Sequence, residues 1–345
     1  MHTTSIGKMD KLIVHFVGNK NNGDGLRFSS VATDFETVEE SFLFLMNNSF
    51  NFEELYSFHF LPTVALNPVY QFVKSIFEDP TSFVEQTQNA ARILFDKSNH
   101  PKIKGGELQV AYFKGCAING DIVDGIGFFK SENKENFLKV LTTKQGFDLE
   151  NEIGIAVKKL DKGCFIFNTN EEEGYLVAVV DNTNRGEEAQ YWKDEFLGVQ
   201  PIANEFHQTN QFLGIAKTFV TQQLDEEFES NKADKIDLLN RSMGYFKSHE
   251  QFDKKEFEKE VFQDPDLVKS FRKFDKQYRA ENELELSDQF EISTKAVKKQ
   301  ARVFKSVLKL DKNFHVYIHG DKNLIEQGVE TDGRKFYKLY FEEEL

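Results

Sequence analysis

The stretch from Glu107 to Asp181 constrains this chain most. Leu108–Phe113, Ile118–Phe129, Phe137–Thr143, Phe147–Val157, Cys164–Asn168 and Tyr175–Asp181 are apolar segments of extended type. Gly115, Asn119-Gly120-Asp121, Gly146, Gly163 and Gly174 punctuate them. Consecutive strands joined by short turns pair antiparallel, so the stretch predicts a β-meander. Near its centre, Lys158-Lys159-Leu160-Asp161-Lys162-Gly163 packs three lysines and one aspartate into six residues. Two readings stand for it: a solvated hairpin tip, or a cationic finger raised on a rigid sheet.

The flanks are mixed. Lys11–Val17 reads as a first strand, followed by a loop, Gly18–Gly25, with three glycines. Their spacing is neither that of a Walker loop nor that of a dinucleotide fingerprint, so the loop reads as a turn. An anion held by its amides and Lys20 is the alternative. Asp34 suits the N-cap of a helix running to about Met46. Tyr56–Leu61 is a short strand. Leu66–Glu78 and Ser82–Lys97 read as helices, the first with Val69, Phe72, Val73 and Ile76 on one face. Gln190–Leu197 suits a short helix packed on the meander. Helices are expected at Phe206–Phe228, Asp234–Phe246, Lys254–Phe262 and Asp266–Ala280, then strands at Val303–Lys309, His315–His319 and Phe336–Phe341.

The fold class expected is therefore α+β. An antiparallel β-meander domain flanked by helices covers 1–200. A helical domain ending in a small three-stranded antiparallel sheet covers 201–345.

Charge bounds the partners. The chain carries a formal −14, so it cannot coat nucleic acid by net attraction; any such contact needs a local basic patch. No apolar run approaches the ~18 residues of a membrane helix, which points to a cytoplasmic protein without membrane contact. Cys116 and Cys164 lie in apolar runs without ligand-type neighbours, which predicts buried, reduced thiols. No cofactor or metal is expected.

Basic patches do occur. On Asp266–Ala280, Leu267, Phe271, Phe274 and Tyr278 form one stripe. Lys269, Arg272, Lys273, Lys276 and Arg279 fall on the opposite arc. They are either a row of phosphate-contacting cations or a solvated face of snorkelling side chains. A second run holds Lys295, Lys298, Lys299, Arg302, Lys305 and Lys309 with no acidic residue among them, directly after an acidic segment. Charge pairing within the chain and a DNA-facing patch are both open there. Lys102, Lys104, Lys130, Lys158, Lys159 and Lys162 are secondary candidates for DNA contact. No catalytic residue is assigned. Lys130-Ser131-Glu132 reverses the Glu-x-Lys order of restriction-type nucleases, and only Glu107 and Asp124 offer further carboxylates nearby. His315 and His319, on one strand, would lie about 13 Å apart at ~3.3 Å per residue, too far to share an ion.

Several stretches taken together carry a resemblance. They are Val17-Gly18-Asn19-Lys20 with Gly25-Leu26-Arg27, His100-Pro101-Lys102-Ile103-Lys104-Gly105-Gly106-Glu107-Leu108, and Gly127-Phe128-Phe129-Lys130-Ser131-Glu132. Lys159-Leu160-Asp161-Lys162-Gly163-Cys164, Tyr191–Leu197 and Phe336–Phe341 complete the set. In this order they resemble the bacterial nucleoid-associated protein family of the NdpA type. The resemblance implies a nucleoid location and binding of double-stranded DNA, with no catalytic reaction attached. Lysine-rich patches favour phosphate contacts over base readout, hence little sequence specificity. Two alternatives remain: an acidic adaptor acting on a DNA-processing protein, and a metal-dependent nuclease. A homodimer is left open.

Overall fold

The computed structural model describes residues 4–183, 191–282, 284–302, 304, 307–310, 312–317 and 324–343. The chain divides into two compact units, 1–202 and 203–345.

The first unit is built on one eight-stranded, wholly antiparallel sheet. Its strands are β1 (Lys8–Val17), β2 (Leu26–Arg27), β3 (Leu55–Phe58), β4 (Gly106–Ile118), β5 (Asp121–Ser131), β8 (Lys162–Phe167), β9 (Leu176–Asp181) and β10 (Val199–Pro201), in the order β10-β3-β9-β8-β5-β4-β1-β2. Two further strands, β6 (Glu135–Thr143) and β7 (Gly146–Gly154), lie between β5 and β8 in sequence but pair only with each other.

Both faces of the sheet are covered. Helices α2 (Pro68–Glu78) and α3 (Phe83–Lys97), with a π-helical turn at Tyr191–Leu197, pack on the face carrying Ile13, Val110, Tyr112, Phe128 and Ile166. Helix α1 (Glu39–Ser49) covers the other face, against Phe113, Phe129, Phe165 and Phe167. Two covered faces explain the near-continuous apolar runs of the central strands. They also explain why β6 and β7 leave the sheet, because Glu135, Lys139, Asp148, Glu150 and Glu152 could not be buried in such a layer.

Helix α1 starts at Glu39 rather than near Asp34. The Asp34 carboxylate instead accepts from the Glu36 amide at 3.1 Å, a local turn that competes with helix initiation.

The second unit is mostly helical. It holds α4 (Glu205–Thr218), α5 (Leu224–Glu227), α6 (Lys232–Ser248), α7 (Lys254–Phe257), α8 (Pro265–Glu281) and α9 (Thr294–Ala301). The long helix expected over Phe206–Phe228 is α4 and α5 joined through a π-turn at Phe219–Gln223. Helix α7 likewise runs on into π-turn residues Glu258–Phe262. The core is dense in rings, with Phe212, Phe219, Phe246, Phe252, Phe257 and Phe271 in mutual contact. Strands β11 (Gln251–Asp253) and β12 (Gln289–Glu291) pair antiparallel.

Near the C-terminus, where a three-stranded sheet is expected, the described residues pair differently. The described residues hold two separate hairpins, β13 (Val307–Leu310) with β14 (Phe314–Tyr317), and β15 (Ile325–Val329) with β16 (Lys335–Leu339). The signal at Ile325–Val329 is weak because Gly328 and two polar residues interrupt it, so the partner strand of β16 went unread. His315 is exposed on β14, and His319 lies outside the described residues.

Candidate functional site

In the first unit, one end of the sheet gathers most of the secondary candidates. Register places Lys130 of β5 opposite Lys162 of β8, and Lys162 opposite Asp181 of β9. Both lysines are fully buried. Lys130 Nζ donates to the Lys104 carbonyl at 2.8 Å, to Glu132 Oε1 at 3.1 Å and to the Tyr191 hydroxyl at 3.2 Å. Lys162 Nζ pairs with Asp181 Oδ1 at 2.7 Å. The Tyr191 ring takes both ammonium groups, at 5.5 and 4.9 Å from its centroid, while its hydroxyl donates to Glu132 Oε1 at 2.5 Å. Thr183 closes the network on Glu132 Oε2 at 3.1 Å.

Burial lowers the Lys130 pKa, the Glu132 carboxylate opposing it, and burial raises that of Tyr191. Two ammonium groups and two carboxylates thus sit in a largely buried layer and neutralise one another. Lys130 and Lys162, expected as surface cations, are corrected on this point: each ends an apolar strand whose two faces are covered, so its charge is committed inside the fold.

Above this layer lies a cavity of about 420 Å³, lined by Lys102, Lys104, Lys158, Lys159, Asn133 and Asp161 among others. Two loops converge on it. Asn19 holds the first, its side-chain amide donating to the His100 carbonyl at 2.7 Å and the Ile103 carbonyl at 2.5 Å. The loop from Gly18 thus acts as a clasp, and its Lys20 pairs with Asp96 at 3.1 Å. Gly106 continues that first loop into β4, and a Cβ there would stand 1.9 Å from the Ser131 carbonyl, so only glycine permits the approach.

Asp161 holds the second loop. Its carboxylate accepts from the Glu132 and Asn133 amides at 2.7 and 2.8 Å. Leu160 is buried beside it. The Lys158–Gly163 turn is therefore not a raised finger. Lys158 and Lys159 are exposed, and the rest of the turn is built into the fold. Lys102 and Lys104 are exposed as well, Lys104 donating to Asn133 Oδ1 at 2.6 Å.

The nuclease candidates do not assemble. Glu107 pairs with Lys134 at 2.6 Å, Glu132 with Lys130, and Asp124 accepts from the Tyr112 hydroxyl at 2.6 Å. Glu107 stands opposite Ser131 at one end of β4, while Asp124 adjoins Gly125, the partner of Phe113, roughly 20 Å along the strand.

In the second unit, α8 divides its cations into two kinds. Arg272 forks onto Glu258 Oε2, with Nε at 2.8 Å and one terminal nitrogen at 2.6 Å; the Glu258 side chain is 2% exposed. Arg279 binds Asp275 Oδ1 at 2.7 Å and the Leu286 carbonyl at 2.8 Å, and Lys254 takes the other Asp275 oxygen at 2.5 Å. These two arginines pair with buried carboxylates. Lys269, Lys273 and Lys276 are exposed at i, i+4 and i+7, which makes a single lysine stripe. Only Lys273 has an ion-pair partner among the described residues, Glu227 at 3.7 Å, a loose exposed contact of little energetic value. Phe271 is buried on the opposite side, with Leu267, Phe274 and Tyr278 partly so.

The second basic run is partly helical. Ser293 caps α9 by accepting from the Ala296 amide, and Ala296 and Val297 are buried. Lys295, Lys298, Lys299 and Arg302 are exposed, with Lys299 5.3 Å above the Phe206 ring. Lys305 lies outside the described residues.

Residues 13–334 match the family described as nucleoid-associated protein YejK. The chain belongs to that family. The match spans both units, so the buried lysine layer, the cavity and the α8 stripe all fall inside it. No curated protein matches the chain. No helix of the described residues is long and apolar enough to cross a membrane.

One cluster escaped the sequence reading. His249, Glu256 and Glu260 each bring a ligand-type atom within 4.8 Å of the others. The Glu256/Glu260 spacing is readable, but His249 joins them only because β11 turns the chain from the end of α6 back into α7. The buried thiols agree with expectation: both cysteines are free and buried, and burial pushes Cys116 up to about 11.

Proposed function

We propose that the protein is a cytoplasmic, nucleoid-located protein of the NdpA type that binds double-stranded DNA. It does so mainly through phosphates and with little sequence specificity. The observation that carries this reading is the Lys269–Lys273–Lys276 stripe, three exposed ammonium groups on one helix face in a chain of formal charge −14. Lys295, Lys298, Lys299 and Arg302 extend the candidate surface, and Lys305 belongs to the same run. Lys102, Lys104, Lys158 and Lys159 form a secondary patch. Arg272 and Arg279 act here by holding carboxylates and so by fixing the helix that presents the stripe. Lysine is a point charge suited to phosphate, and fixed arginine forks are not offered to bases.

The test is the salt dependence of binding to a random-sequence duplex. Replacing Lys269, Lys273 and Lys276 by glutamine removes up to three phosphate contacts. The slope of log K against log salt should then flatten by roughly 2.7, at ~0.9 per contact. An unchanged slope in the folded variant refutes the stripe as the contact surface. Replacing Arg272 by glutamine should instead lower the stability of the second unit, because the buried Glu258 carboxylate loses its partner.

An adaptor role towards a DNA-processing protein is the second reading, favoured by the acidic balance of the chain. Retained nucleoid localisation without measurable affinity for purified DNA would select it. A second copy of the chain completes the proposed partners.

A further inference from the structure

Strands β6 and β7 pair in register from Glu135↔Gly154 to Thr143↔Gly146 and hydrogen-bond to no other strand among the described residues. A two-stranded hairpin alone in water is marginally stable and gains independent stability only by packing its apolar face. The register sorts its side chains. Asn136 and Ile153, Leu138 and Asn151, Val140 and Leu149, and Thr142 and Phe147 are opposite pairs on one face. That face carries no charge. Its large side chains are all open: Leu138 is 66% exposed, Val140 61%, Phe147 76%, Leu149 65% and Ile153 66%. The other face carries Glu135, Lys139, Asp148, Glu150 and Glu152, with Lys139 paired to Glu152 at 2.8 Å.

We propose that the uncharged face of this hairpin is a homodimer interface, packed against the same face of a second copy. This inference goes beyond the DNA reading and stands on its own observations. Three arguments select a second copy as occupant.

The first is electrostatic. The chain is strongly acidic, so most of its surface repels its own copy. This face brings no like charges together, while the opposite hairpin face, with four carboxylates to one lysine, would. The face also offers no cation to DNA. The second is area. Five large apolar side chains remove on the order of 100 Å² each from water. A face-to-face pair therefore buries about 1,000 Å², the threshold for a specific interface. The third is symmetry. A two-fold stack is isologous, so one patch serves both sides and the association closes at two copies.

The experiment is sedimentation velocity of the full chain across a concentration series, in low and in 1 M salt. The wild type should be a dimer in both, since burial of apolar surface is not screened. DNA binding, resting on phosphate contacts, should be lost in the high-salt arm. Val140→Glu with Leu149→Glu should weaken self-association by roughly a hundredfold or more, since both sit at the centre of the patch. Leu141→Glu, on the opposite face, should leave the dimer intact. Mixing a Leu149→Glu chain with a Leu149→Lys chain should restore a heterodimer that neither forms with itself. Trp192 fluorescence reports the fold of the first unit throughout, because that indole is buried and donates to the Gly163 carbonyl at 3.3 Å. A monomeric wild type overturns the proposal. So does a dimer that dissociates in high salt, or one indifferent to the Val140/Leu149 pair. Unchanged DNA binding by a folded Lys269/Lys273/Lys276→Gln variant that stays dimeric would count against the DNA surface alone.

Discussion

Removing the Glu132 carboxylate tests how the buried lysine layer is held. In Glu132→Gln the shape is kept: the amide oxygen can still accept from the Tyr191 hydroxyl, and the amide NH2 can donate to the Thr183 hydroxyl oxygen. Lys130, with its ammonium fully buried, loses its counter-charge. Breaking one partner of a buried ion pair costs about 3–5 kcal/mol. At ~2–4 °C per kcal/mol for a unit of this size, the first unit should melt roughly 6–20 °C lower. The assay is thermal unfolding followed by fluorescence of Trp192, the single tryptophan, which lies in that unit.

The variant should also gain a pH dependence. Burial already holds Lys130 below its ordinary range, and without Glu132 it falls further. Above the folded pKa the native chain then carries neutral Lys130 while the unfolded chain is still protonated. Stability of the variant relative to wild type should therefore recover as pH rises towards the ordinary lysine value. Adding Lys130→Met to Glu132→Gln should restore most of the loss at neutral pH, since an apolar side chain needs no partner. A Glu132→Gln change in stability below about 1 kcal/mol, or no rescue by Lys130→Met, would refute the view that this pair is a committed part of the core.

Two further outcomes are expected. His15 is buried, its Nε2 3.1 Å from the Thr87 hydroxyl and its Nδ1 accepting from the Ser29 amide, and burial holds its pKa at about 4 against an ordinary 6.5. The unfolded chain binds a proton between those values that the folded chain refuses, so stability should fall as pH drops from 6.5 towards 4. His15→Gln should flatten that slope in denaturant titrations at several pH values, and an unaltered slope would exclude His15 as its source. Plasmid incubated with Mg²⁺ or Mn²⁺ should stay intact, because Glu107, Asp124 and Glu132 are each engaged elsewhere and do not converge; cleavage abolished by Glu107→Ala or Glu132→Ala would reverse this.

Much of the fold could be read from local pattern. Alternating and continuous apolar runs located β4, β5, β8 and β9, because their glycine and asparagine turns are sharp. The i, i+4, i+7 spacing on α8 located Phe271 in the core and its lysines outside. What misled were residues whose role depends on distant partners. Lys130 and Lys162 look like any strand-end lysine until Asp181 and Tyr191 are brought to them from another strand and a π-turn; Glu132, two residues from Lys130, is local, but its burial is not. Arg272 and Arg279 share an arc with Lys269 and Lys276, yet Glu258, from the π-turn before α8, claims the first, and the second is held by Asp275 one turn back together with the Leu286 carbonyl. The hairpin β6–β7 has the composition of any meander strand pair, and its departure from the sheet follows from charges that a doubly covered layer excludes.

The sequence by itself determined the α+β class, the antiparallel order of the central strands, the family and the positions of the basic runs. These depend on periodicity, turn chemistry and local motif, which act over a few residues. Tertiary structure alone decided which cations face solvent, that the Lys158–Gly163 turn is anchored through Asp161 beneath a lysine-rimmed cavity, and that one hairpin stands apart with an open apolar face. Those outcomes depend on burial and on pairings between residues far apart in sequence, 19 positions for Lys162 with Asp181 and 130 for the Asn67 side chain with the Leu197 carbonyl. No local pattern carries that information.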